Sequence, residues 1–268
     1  MTATSSSVPP GAGPDAGPGA EPGSGAVGAR GVPFARLLRV ESRKLFDTRA
    51  GLVLTAVLVV LSPALVVARS VATGVTGFLT LAGTAGIALG ILLPVLGVLT
   101  ITGEWTHRTA LTTFTLEPRR GRVLAAKCLS TLAAAVVAGA LCLVIAAVAT
   151  AVHGEQADWG VTPMALLGRL TTMLILTAQG LAMGLLLLNA PAAIVICLVS
   201  PMVWSLVANV STVGETLAAW LDLGVTTGAP ASGGMTGGEA ARLATSVLAW
   251  IVVPLVVGAV RVIRADVR

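Results

Sequence analysis

The residues best placed to do chemistry in this chain lie in one polar block, GEWTHRTALTTFTLEPRRGRVLAAK, from Gly103 to Lys127. It carries Glu104, Arg108, Glu117, Arg119, Arg120, Arg122 and Lys127 in a protein of which only 11% is charged. Catalysis is not what these residues spell. No H-E-x-x-H metal pattern occurs, His107 and His153 are assigned to opposite sides of the membrane, and Ser130, Ser200 and Ser205 have no evident base beside them. A phosphate-cradling loop needs Gly-Lys-Ser/Thr, yet Lys44 and Lys127, the two lysines, follow Arg43 and Ala126. Cys128, Cys142 and Cys197 form no C-x-x-C pair and read as packing residues. The sequence therefore predicts no catalytic set, no metal site and no cofactor bound by this chain. Two explanations of the block compete: a marker of the inner membrane boundary, and a surface for a protein partner. Nothing from Glu104 through Phe114 breaks a helix, Pro118 ends one, and Trp105, Arg108, Thr109, Thr112 and Thr113 supply an aromatic, a charge and hydroxyls. Membrane-boundary marking accounts for Arg119, Arg120, Arg122 and Lys127, but not for Glu104, Trp105 or the threonines.

The elements that must hold this block are membrane helices. The 268 residues are 55% hydrophobic with a mean hydropathy of +0.93, more apolar surface than a soluble core can bury. A net charge of +5 spread over so few charges sets orientation in a bilayer and gives no basis for nucleic-acid binding. Residues 1–33 are almost entirely Pro, Gly, Ala and Ser and are expected to form a disordered tail without a signal peptide. Over residues 34–50, Phe34, Leu37, Leu38 and Leu45 recur at helical spacing among Arg36, Arg39, Arg43 and Lys44, which predicts an amphipathic helix lying on the lipid surface. Glu41 falls on the apolar side of that helix and needs a partner such as Lys44.

Residues 51–268 form the membrane domain. A 30 Å hydrocarbon core takes about 20 residues of helix, and that length picks out spans at about 51–68, 78–102, 128–152, 166–188, 191–210 and 244–263. The expected fold is thus an all-α bundle of six transmembrane helices, and continuous apolar runs exclude a β-barrel. Fourteen of the 17 basic residues fall on one side, leaving Arg69, Arg169 and Arg242 for the other, so both termini are expected in the cytoplasm of a cell whose plasma (inner) membrane holds the protein. The segment 211–239 then lies outside, where Leu217, Trp220 and Leu221 share a face of a short helix that rests on the interface or dips into it. The spans hold no Asp, Glu or Lys near their centres, which argues against an ion-driven carrier. Gly86-x-x-x-Gly90 and Gly180-x-x-x-Gly184 allow close helix contacts within or between chains.

The polar block resembles the loop after the second span in permease subunits of type 2 ABC transporters, the exporter class. The matching residues are Glu104, Arg108, Thr109, Thr112, Thr113, Pro118, Arg120 and Lys127. RLLRVESRKLFDTRAG is similar to that family's N-terminal interfacial helix at Glu41, Lys44, Leu45 and Arg49, and VIRADVR to its basic ending with Asp266. Trp105 stands where the family often has Tyr. The resemblance covers residues 34–268 and implies a coupling helix, Glu104 to Leu116, seated in a separate cytoplasmic ATP-binding subunit. That subunit would hold ATP and Mg, and two permease halves, identical or paralogous, would make the exporter in contact with membrane lipid. A non-transporting scaffold or immunity protein that binds a cytoplasmic partner would present a similar loop.

Overall fold

A computed structural model describes residues 33–106 and 119–264. Apart from a single bridge pairing Gly77 with Asp158, every regular element among the described residues is helical. Six helical stretches are long and apolar enough to cross a membrane: Arg49–Thr73, Phe78–Gly103, Arg120–Ala151, Pro163–Leu187, Ala190–Val210 and Gly237–Arg264. The chain is an all-α, multi-pass membrane bundle.

The entry to the bundle is a sharp elbow. Helix α1 (Phe34–Asp47) ends at Thr48, whose N–H donates to the Lys44 carbonyl at 3.3 Å. The same residue opens α2 (Arg49–Thr73), its hydroxyl accepting from the Gly51 N–H at 3.1 Å. A side chain at Gly51 would fall on the Leu45 carbonyl, so the elbow requires glycine there.

Helix α3 (Phe78–Thr106) is the central post, with Leu81, Ala85, Leu89 and Val98 fully enclosed. It is followed by α4 (Arg120–Ala151), α5 (Pro163–Leu187) and α6 (Ala190–Val210). Lipid is as apolar as leucine, so close packing rather than escape from water holds such helices together. Small residues supply it: a Cβ on Gly180 would strike the Pro94 carbonyl, and one on Gly97 would lie 2.7 Å from the Thr177 carbonyl. Gly180 and Gly184 face α3, and Gly86 and Gly90 face Met173 and Leu176 of α5, so both glycine spacings serve contacts within the chain. Between α5 and α6 only Leu188 and Asn189 intervene. Leu188 takes a left-handed conformation (φ 50°) and donates to the Gly184 carbonyl at 2.9 Å, while the Asn189 side chain accepts from the Ala192 N–H at 3.1 Å.

After α6 the chain turns back into the bundle. Helices α7 (Thr212–Leu221), α8 (Leu223–Thr226) and α9 (Gly228–Ser232) precede α10 (Gly237–Val247), which runs through a π-helical turn (Leu248–Val252) into α11 (Val253–Arg264). Ser211 caps α7, and Gly214 packs so closely on the Val207 backbone that α7 must fold back along α6. Ten residues of helix descend about 15 Å, half of the hydrocarbon thickness. At the tip, the Trp250 indole N–H donates to the Leu221 carbonyl at 2.8 Å and Thr226 Oγ1 meets Ser246 Oγ at 2.7 Å. The return arm passes Gly168, whose missing side chain leaves room for the Pro230 carbonyl.

The segment between spans five and six is therefore a re-entrant hairpin. Its packed face is Gly214 and Ala218, and the larger Leu217 and Trp220 point away from the bundle at 46% and 38% exposure. The hairpin also brings a carboxylate, Asp222, to the level of mid-span residues Gly90, Gln179 and Cys197, with which it lines one cavity. The six spans lack a central carboxylate, and the hairpin supplies one.

Candidate functional site

Both described ends of the chain lie at one end of the bundle, as six crossings require. There the Arg120 guanidinium donates to the Val262 carbonyl at 3.1 Å, tying the start of α4 to α11, and Arg261 donates to the Leu186 carbonyl at 3.3 Å, tying α11 to α5. This is the basic end, where Arg36, Arg39, Arg43, Lys44, Arg119, Arg120, Arg122, Arg261 and Arg264 gather.

At its centre sits Glu41. Glu41 and Leu45, one turn apart, are the buried residues of α1. Oε1 of Glu41 accepts from Lys44 Nζ at 2.8 Å, and Oε2 accepts from Lys127 Nζ at 2.7 Å. Glu41 and Lys127 are only 4% and 5% exposed, whereas the Lys44 side chain is 42% exposed. One carboxylate thus joins α1 to the first turns of α4. Around Lys127 the helix is reinforced from within, because its carbonyl accepts from both Ser130 Oγ and Thr131 Oγ1 at 2.9 Å. An uncompensated charge at this depth would be costly, so the ion pair fixes where α1 docks.

The surface-helix residues expected to act together divide. Glu41 and Lys44 meet as the spacing predicts; Arg49 opens α2 on an exposed position and joins no ion pair with them among the described residues. Lys127 is the functional partner that spacing within α1 does not reveal. The available signal was that Glu41 on an apolar face and Lys127 at the entry of the third span must lie at one membrane level. Glu104 and Trp105 belong to the last turn of α3. Arg108, Thr109, Thr112 and Thr113, with the rest of 107–118, lie outside the described residues, as does the tail 1–32. In the chain the segment stands between the end of α3 and the start of α4.

No family model and no curated protein matches this chain.

The opposite end is closed by ordinary ties. Ser70 Oγ and His153 Nε2 lie 2.8 Å apart and link α2 to α4, and Arg169 donates to the Leu79 carbonyl at 2.8 Å, linking α5 to α3. The Phe78 and Trp159 rings stack at 6.0 Å, and Arg242 lies 6.0 Å from the Trp220 ring centroid. Among the described residues no three His, Cys, Asp or Glu side chains gather as a metal site would require.

Proposed function

We propose that this chain is the membrane-spanning permease subunit of an ATP-driven exporter, powered by a separate cytoplasmic ATP-binding subunit. The observation that carries this reading is the buried Glu41–Lys127 pair, which ties α1 to α4, the span that residues 107–118 precede in the chain. The sequence adds the absence of a nucleotide-binding loop in a chain built as a polytopic bundle. In this reading the basic end faces the cytoplasm of the plasma membrane, in keeping with its excess of Arg and Lys. The partner binds ATP and Mg, and its closure presses on Glu104, Trp105, Arg108, Thr109, Thr112 and Thr113. Displacement of that segment passes into α3 and α4 and, through Lys127, into α1. A rigid-body shift of these helices against a second permease subunit then alternates access to a path between the halves.

The test is to solubilise tagged protein from its native host in mild detergent and identify what copurifies in stoichiometric amount. An ATP-binding subunit that is lost on Glu104→Ala or Arg108→Ala substitution supports the reading. Isolation alone, or with a partner that hydrolyses no nucleotide, overturns it in favour of a scaffold or immunity role.

A further inference from the structure

The cavity at the tip of the re-entrant hairpin brings a buried carboxylate together with neutral oxygens. Its volume is about 40 Å³, and it lies between the middles of α3, α5 and α6 and the π-helical turn. Three features of its lining point the same way.

The first is Asp222. It is 7% exposed, its carboxylate accepts from the Gly224 N–H at 2.8 Å and from the Val225 N–H, and among the described residues no Lys, Arg or His forms an ion pair with it. A buried carboxylate without a counter-charge is unfavourable. The second is Gln179, a lining residue 4% exposed, whose side chain makes no hydrogen bond among the described residues. An amide so enclosed ordinarily finds a partner. The third comes from the prolines. Pro94 and Pro201 have no N–H to donate to the carbonyls one turn earlier, those of Gly90 and Cys197, and both of these residues line the cavity. Gly90 can do so only through its backbone. Cys197 O receives a 3.3 Å bond from Ser200 Oγ, which consumes the hydroxyl proton and leaves the Ser200 oxygen as a further acceptor.

We propose that this cavity binds a single monovalent metal cation, Na⁺ or K⁺, through the Asp222 carboxylate, the Gln179 amide oxygen, the Gly90 carbonyl freed by Pro94 and the Ser200 hydroxyl oxygen. The charge count selects the class: one carboxylate among neutral oxygens balances one positive charge, whereas Ca²⁺ and Mg²⁺ sites draw on more carboxylates or phosphates. Size agrees, since a water needs about 10–15 Å³ by the same measure, so the space holds an ion and at most a water or two. Backbone carbonyls released in the middle of broken membrane helices are a general means of holding such ions. The inference stands apart from the exporter reading, because it concerns the isolated chain and needs no ATPase partner.

The experiment uses the full chain in lipid nanodiscs. Thermal unfolding, followed by tryptophan fluorescence, is compared in NaCl, KCl and N-methyl-D-glucamine chloride at equal ionic strength. NaCl or KCl is expected to raise Tm saturably, by about 3 °C when the ion reaches roughly ten times its Kd. Asp222→Asn keeps the oxygen that caps α8 while removing the charge, and it should abolish the rise. Should that variant fail to fold, Gln179→Leu is expected to weaken the response at least tenfold in Kd. Equal Tm in all three salts, or an unaltered response in the folded variants, would overturn the proposal.

Discussion

At the scale of single residues, the Glu41 cluster separates two lysines that the sequence treats alike. Lys127 is buried and Lys44 is 42% exposed, though both reach the same carboxylate. Removing one partner of a buried pair costs about 3–5 kcal/mol, while an exposed pair contributes about 0–1 kcal/mol. Lys127→Met is therefore expected to lower the Tm of detergent-solubilised protein by about 6–12 °C, at the few degrees per kcal/mol of a chain this size, and Lys44→Met by less than a third of that. Equal effects in the two variants would show that Lys127 is not what docks α1. Half of this cluster was legible in the sequence. Helical spacing alone places Lys44 beside Glu41, because neighbours three apart share a face. The longer-range partner depends on how deep α1 sits against α4, and periodicity within one helix carries no information about depth.

At the scale of elements, glycine decides where helices and loops may touch. Pro230 rests over Gly168, so Gly168→Leu must push the return arm of the hairpin away from α5. Hydrogen exchange should report this as amides of α8 and α9 opening at least about tenfold more often, equivalent to a loss of about 1.4 kcal/mol locally. Amides in α2, remote from the hairpin, should be unchanged. A Gly51→Ala change acts at the other elbow, where the added methyl meets the Leu45 carbonyl. It should release α1 from the bundle, seen as faster proteolysis after the arginines of α1, with little effect on the spans. The six spans were readable because twenty-odd apolar residues in a row have few other uses. The hairpin was only half readable. Its helix was visible as Leu217, Trp220 and Leu221, yet the residues that bury it are Gly214 and Ala218, whose small side chains carry no hydrophobic signal of their own. Asp222 reaches mid-depth for the same reason, through a loop that hydropathy assigns to one side of the membrane.

At the scale of the whole molecule, the arrangement of charge makes a topology that reporters can read. Fusions after Arg264 should report the cytoplasm, and insertions at Gly154 and Gly234 the opposite side, if basic residues set orientation. The reverse pattern would overturn the assignment of the basic end as the ATPase-facing one. The one carboxylate shared by Lys44 and Lys127 has a consequence for the chemistry of the entire chain, since these are its two lysines. Both ε-amines are thereby gathered at the joint between α1 and α4. A small amine-acylating ester should modify Lys44 and spare Lys127 for as long as α1 remains seated. Acylation of Lys127 then becomes a timer for undocking, readable by mass on the intact protein without any engineered label.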